Sequence, residues 1–149
     1  MYALVIVAVV VLASVVVAAY VVDRLERGVV FTVHTDKEQY SLGDMIYIHV
    51  EYTNHGFDTV DLTFCSSLVA SFSVHDSNGS FVCSIPQIAL MWLVYETLGP
   101  GETLTGGCYW EQVDDMDEQV LSPGSYTLLA EDSCREFEFS ARTTISIAA

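Results

Sequence analysis

Residues 45–53, MIYIHVEYT, set Ile46, Ile48, Val50 and Tyr52 against Tyr47, His49, Glu51 and Thr53. Successive side chains of an extended chain point to opposite faces, so this period of two reads as a strand with one buried and one wetter side. The pattern returns in short runs. Val60, Leu62 and Phe64 make one apolar face, Phe72 and Val74 a second, and Tyr126, Leu128 and Ala130 a third. VVFTVH after Gly28, SFVCSI after Gly79, TLTGGCYWEQV after Glu102 and the terminal RTTISIAA also favour extension. In CREFEFSA, Phe137 and Phe139 fall on one side and Glu136 and Glu138 on the other. Residues 86–98, PQIALMWLVYETL, fit a helical side and a short strand under a covering loop equally well.

Brief polar turns separate these runs: SLGD, TNHG, Asn78-Gly79, GPGE and Ser-Pro-Gly. Gly adopts positive φ without a steric penalty and Asn visits the same region, which is what a tight reversal needs. Gly106-Gly107 suggests a bulge or bend inside its strand. About eight short β segments joined in this way predict an all-β, immunoglobulin-like sandwich rather than a parallel sheet with helical crossovers.

The opening segment is of another kind. Met1 to Val22 carries no charge, and as a helix it would reach roughly 30 Å, enough to cross a bilayer core. A helix is the simple way for one such segment to satisfy its amides in an apolar medium. Three roles follow: a helix packed against copies of itself, a lone membrane anchor, or a cleavable signal with Val17-Ala18-Ala19 as the processing site. No Lys or Arg precedes the apolar stretch, whereas Arg24 and Arg27 follow it, which suggests that a charged leader was removed upstream. DRLERG at 23–28 marks the exit from the apolar layer. The expected division is therefore 1–27 as an assembly or membrane helix and 28–149 as an extracellular β-sandwich domain.

The formal net charge is −15, and beyond Gly28 the basic residues are Lys37, Arg135 and Arg142. Such a field repels phosphate backbones, which excludes nucleic acid as a partner. Cys65, Cys83, Cys108 and Cys134 form an even set without a CxxC pair. In an exported domain they would make two disulfides, expected as Cys65–Cys83 and Cys108–Cys134, with four buried thiols as the plainer alternative.

Candidate chemistry is sparse. His34, His49, His55 and His75 are scattered, and His49 faces away from the Ile/Val side of its strand. Asp114, Asp115, Asp117 and Glu118 could gather a hard cation but lack EF-hand spacing, so they read as a hydrated acidic loop. Asn78-Gly79-Ser80 is an N-glycosylation acceptor and equally a hairpin turn. Trp92, Tyr95, Tyr109 and Trp110 could stack on an oligosaccharide, although packing between sheets or subunits explains them better. Neither a nucleophile elbow nor a phosphate-cradling glycine loop occurs. No catalytic, cofactor-binding or metal residue is assigned, no cofactor is expected, and the chain reads as a non-enzyme.

Two resemblances add to this reading. From MYALVIVAVVV through AAYVVDRLERG into a β-rich remainder, the chain resembles a mature archaeal type IV pilin or archaellin. That resemblance implies a structural subunit of an extracellular, cell-surface filament, membrane-inserted before assembly and polymerising with identical subunits through its N-terminal helix. The apolar Val5 and its neighbours, with no acidic residue near the start, favour the archaeal form. NHGFDTVDLTF, VHDSNGSFV, LGPGETLTGGCYWEQV and LSPGSYTLLAED resemble the immunoglobulin-related BsuPI-type domain, the match resting on Pro100-Gly101-Glu102, Trp110 and Pro123-Gly124-Ser125-Tyr126. The alternatives to a filament are a membrane-anchored sandwich binding a surface-layer or archaellum component, and a secreted proteinase-inhibitor-like interaction domain.

Overall fold

The structure, a computed structural model, describes residues 28–85, 92–113 and 122–149. Ten strands run through them: β1 (Val29–Thr35), β2 (Gln39–Ser41), β3 (Ile46–Asn54), β4 (Val60–Phe64), β5 (Ala70–His75), β6 (Phe81–Ser84), β7 (Val94–Leu98), β8 (Thr103–Trp110), β9 (Gly124–Asp132) and β10 (Ser140–Ala148). One sheet has the order β1-β3-β8 and a second the order β2-β10-β9-β5-β6, while β4 and β7 form a separate antiparallel pair. All neighbours are antiparallel except β2 and β10. A bridge from Phe64 to Cys134 and a hydrogen bond from the Arg135 amide to the Thr63 carbonyl (2.9 Å) tie β4 to the chain beyond β9.

The expected alternation decides which side chains meet. On β3, Ile46, Ile48, Val50 and Tyr52 are all buried while Tyr47, His49, Glu51 and Thr53 are only partly covered. They share one core with Phe31 and Val33 of β1 and with Phe72, Leu128, Ile145 and Ile147 of the five-stranded sheet. Apolar residues on the inner faces of both sheets thus enter a single interior, as an immunoglobulin-like sandwich requires. The Tyr126 hydroxyl donates to the Ser122 carbonyl at 2.7 Å, a tyrosine corner of the kind found at the start of such a strand.

Two buried amides fasten the turns. Gln112, at φ +59°, donates through Nε2 to the carbonyls of Ser41 (2.8 Å) and Asp44 (2.9 Å) and accepts from the Gly43 amide (3.1 Å). These bonds hold the SLGD turn against the end of β8. Asn54 performs a similar task at the other end of β3. Trp110, buried, donates through Nε1 to the Val113 carbonyl at 2.8 Å.

Several expectations are corrected. Gly106 and Gly107 cause no bulge, because β8 stays in continuous register with β3 through Val50↔Gly106 and His49↔Gly107. They make room instead: a Cβ on Gly107 would lie 2.5 Å from the Ile48 carbonyl oxygen, and one on Gly106 would collide with Val69 Cγ2. Phe137 and Phe139 lie on a connecting segment rather than a strand, with their rings stacked at 4.9 Å. Within 86–98, Val94–Leu98 is a strand; residues 86–91 lie outside the described part.

No disulfide forms among the four cysteines. Cys65 is exposed whereas Cys83 is fully buried on β6, so the expected Cys65–Cys83 partners face different media. Cys134 instead directs its thiol to Glu136 Oε2 at 3.1 Å, which leaves the expected bond to Cys108 unmade. The transmembrane helix and the membrane-inserted, cell-surface placement built on it gain no support: among the described residues no helix is long and apolar enough to cross a membrane. The segment 1–27 that carried that expectation lies outside the described residues.

Candidate functional site

The end of the sandwich where β1 begins and β3 finishes is built around Asn54. Its side chain is fully buried, and each of its polar groups has a partner. Nδ2 donates to the carbonyls of Asp58 (2.8 Å) and Leu98 (2.9 Å), and Oδ1 accepts from the Gly56 amide (2.9 Å). Its backbone is held as well: the Asn54 amide donates to the Glu102 carbonyl at 3.0 Å, and the Gly101 amide donates to the Asn54 carbonyl at 2.7 Å. The Pro100-Gly101-Glu102 turn therefore supports the loop after β3. That turn is itself closed by the Gly99 amide on Glu102 Oε2 at 2.7 Å, with Gly101 at φ +79°.

The loop is braced from the other side by Gly28. The His55 amide donates to the Gly28 carbonyl at 2.6 Å, and a Cβ on Gly28 would lie 2.5 Å from the Gly56 nitrogen. At φ +64°, Gly28 occupies the region where a side chain is strained in any case. Between these braces the loop turns outward and presents Phe57, whose side chain is 97% exposed. His55, Asp58 and Thr59 beside it are exposed too. Apolar side chains usually gain roughly 1.5–3 kcal/mol by burial. A phenyl ring held almost wholly in water, on a loop that, with Asn54, is fastened by six hydrogen bonds, is the clearest unpartnered apolar group of the described residues.

The other surfaces are less specific. On the outer face of the three-stranded sheet, His34 lies opposite His49, with ring centroids 5.5 Å apart, and His49 stacks on Tyr47, which meets Tyr109 at 4.8 Å. His49 Nδ1 is buried without a hydrogen bond, although Tyr109 is 63% exposed. A shallow cleft is lined by Ser71, Asp132, Cys134, Glu138 and Phe139, among others. There Asp132 accepts from the Phe139 amide at 3.1 Å, its second oxygen is buried and unpaired, and desolvation raises its pKa to about 6. Among the described residues no group of three or more His, Cys, Asp and Glu side chains is arranged to hold a metal.

The remaining candidates from the sequence fall into place individually. His55 sits in the Phe57 loop, whereas His75 pairs with Ser73 Oγ at 3.1 Å and meets Phe81 edge-on. Asn78-Gly79-Ser80 forms the β5–β6 turn, with Asp76 Oδ1 accepting from the Asn78 and Ser80 amides at 2.9 and 2.8 Å. Of the four aromatics, Trp110 packs between the sheets, whereas Trp92, Tyr95 and Tyr109 are exposed, so packing within the domain accounts for Trp110 alone. Asp114, Asp115, Asp117 and Glu118 lie outside the described residues. Phe57 was missed as a site. Its signal was present in NHGFDT, where an aromatic stands among the Asn, Gly and Asp of a turn.

No curated protein matches the chain. Among solved structures it resembles the sporulation control protein Spo0M of Bacillus subtilis, at 14% identity over 82% of this chain and 50% of that one, with a TM-score of 0.49. A β-glucosidase of Erythrobacter marinus aligns at 15% identity and TM-score 0.46, over 80% of this chain. The chain spans only 16% of that enzyme's length. A CARDB domain from Pyrococcus furiosus, solved in complex with di-metal ions, aligns at 16% identity and TM-score 0.43, over 80% of this chain and 87% of that one. The family profile described as intracellular proteinase inhibitor, BsuPI, matches residues 33–137. The match falls on the β domain, and the described residues give no structural support to the pilin and archaellin resemblance or to the filament and cell-surface placement built on it; the proteinase-inhibitor-like alternative is the better supported. A family described by inhibition agrees with a non-enzymatic chain. With more than half of its length matched, the chain belongs to the BsuPI family, described as an intracellular proteinase inhibitor.

Proposed function

We propose that this protein is a non-catalytic interaction domain that binds a proteinase and blocks its active site. The observation that carries the reading is the family match over residues 33–137. The braced loop at Asn54–Asp58 supports it, since inhibition by occupancy needs a projecting, ordered segment rather than a reactive constellation. A pre-ordered loop loses little conformational entropy on binding, so more of the contact energy appears as affinity. The net charge of −15 adds a preference for a partner whose rim is neutral or basic.

The test is a titration of the full chain against purified serine, cysteine and metalloproteinases, followed by residual activity on small substrates. One mechanistic class should be inhibited at a stoichiometry near one to one. If every class retains full activity at a large excess of the chain, the proposal is wrong.

A further inference from the structure

We infer that Phe57 is the side chain inserted into the partner's primary specificity pocket, so that the proteinase blocked by this protein is one whose pocket accepts a large aromatic group. The inference rests on the inhibitory reading above and names the site and partner class within it. Three observations converge on it. Phe57 is 97% exposed, the neighbouring Gly56 and Asp58 are tied to the buried Asn54 side chain, and the loop projects from the end of the sandwich instead of lying across a sheet.

The bracing matters as much as the ring. The amide of Gly56 and the carbonyl of Asp58, one residue to either side of Phe57, are both bonded to Asn54, at 2.9 and 2.8 Å. With its flanks fixed, the backbone at Phe57 is ordered and its ring is presented to solvent. A partner pocket that desolvates this ring gains its burial energy without having to order the loop. Aromatic anchors seated centrally in a pocket commonly dominate such interfaces. The inhibition is by occupancy; no bond is made or broken.

The other exposed aromatics serve less well. Trp92 adjoins residues outside the described part, Tyr95 lies within β7 opposite Thr63, Phe81 meets His75 edge-on, and Tyr109 belongs to a ring cluster with Tyr47. None has flanking backbone groups held by a single buried side chain.

The experiment compares the intact protein with Phe57→Ala and Phe57→Lys against chymotrypsin, whose pocket takes aromatic side chains, and trypsin, whose pocket carries an acidic group. A cysteine proteinase and a metalloproteinase complete the panel, and Tyr109→Ala serves as a remote control. Because Phe57 is almost wholly exposed, both of its variants should keep the parental melting temperature. The expected result is inhibition of chymotrypsin that weakens by about 10- to 100-fold in Phe57→Ala. Phe57→Lys should transfer inhibition toward trypsin, and Tyr109→Ala should leave it unchanged. Equal inhibition by the parent and Phe57→Ala would overturn the assignment while leaving the inhibitory function standing, as would a parent that acts only on enzymes without an aromatic pocket. A parent that inhibits no member of the panel would remove both.

Discussion

Asn54 and Asp58 are joined across the loop by a 2.8 Å hydrogen bond from the buried side-chain amide of one to the backbone carbonyl of the other. The same amide reaches Leu98, so one side chain links the loop after β3 to the end of β7. Replacing Asn54 by Ala would leave the buried Leu98 carbonyl without this donor and release both flanks of Phe57. A buried group stripped of its partner costs about 1–3 kcal/mol, and the half-exposed Gly56 and Asp58 groups can recover water, so Asn54→Ala should lose about 2–4 kcal/mol. Urea unfolding measures the loss. Limited proteolysis should then cut between His55 and Thr59 earlier than in the parent; unchanged midpoints and cleavage would disprove the bracing role.

The strands of this domain were legible because their signal is local. Ile46 to Tyr52 alternate within one short run, and burial follows that alternation residue by residue. The same rule separates Tyr109 from Trp110, since neighbours on a strand cannot both face inward; period two therefore places only one of the pair in the core. What the sequence hid is non-local. β2 has three residues with Tyr40 alone buried, too few for a periodic signal, and it exists because β10 offers a parallel partner. His34 and His49 look scattered until the β1–β3 register sets them opposite each other. The loop site was half visible: Pro100-Gly101-Glu102 was recognised as a turn, but its hydrogen bonds to Asn54 depend on a pairing 46 to 48 residues away in the chain.

Gly106 and Val69 give a sharper test of close approach. A Cβ at Gly106 would collide with Val69 Cγ2, and a β-branched side chain has little rotameric freedom to move aside. Gly106→Ala should therefore destabilise by about 1–3 kcal/mol. Shortening the opposing side chain should relieve the clash, so the Gly106→Ala/Val69→Ala pair should be less destabilised than the sum of its single variants. Strict additivity in denaturant midpoints would show that the two positions do not touch.

The thiols predict an ordered reaction with a disulfide-exchange reagent. Cys65 is exposed, while Cys83 is fully buried and burial pushes the Cys134 thiol pKa upward. Since the thiolate is the reactive form, Cys65 should react first in the native protein and Cys83 and Cys134 only slowly. All four should react after unfolding, and Cys65→Ser should abolish the fast phase. A reducing agent should leave the melting temperature unchanged, because no disulfide contributes to stability. A lower melting temperature under reducing conditions would contradict this arrangement.

Two carboxylates near the β9 exit should tilt stability in opposite directions. Desolvation raises the Asp132 pKa from 3.8 to about 6, helped by the nearby charge of Glu138 and opposed by the Phe139 amide. Between about pH 4 and 6 the folded protein therefore holds a proton that the unfolded chain has released, so stability falls as pH rises through that window and levels off above it. Partial exposure weakens the effect to on the order of 1 kcal/mol. Glu136 behaves conversely. The Thr63 amide, 2.8 Å from its Oε2, is the main reason its pKa drops from 4.5 to about 2. Its contribution is fully present above about pH 4.5 and is lost as pH falls through about 2. Urea midpoints measured from pH 2 to 8 should show a rise followed by a shallow decline. Asp132→Asn should flatten the decline and Glu136→Gln the rise, each leaving the other limb in place. If Asp132→Asn instead leaves the decline between pH 4 and 6 intact, the unpaired oxygen in the cleft is not its source, and the group responsible lies elsewhere in this acidic chain.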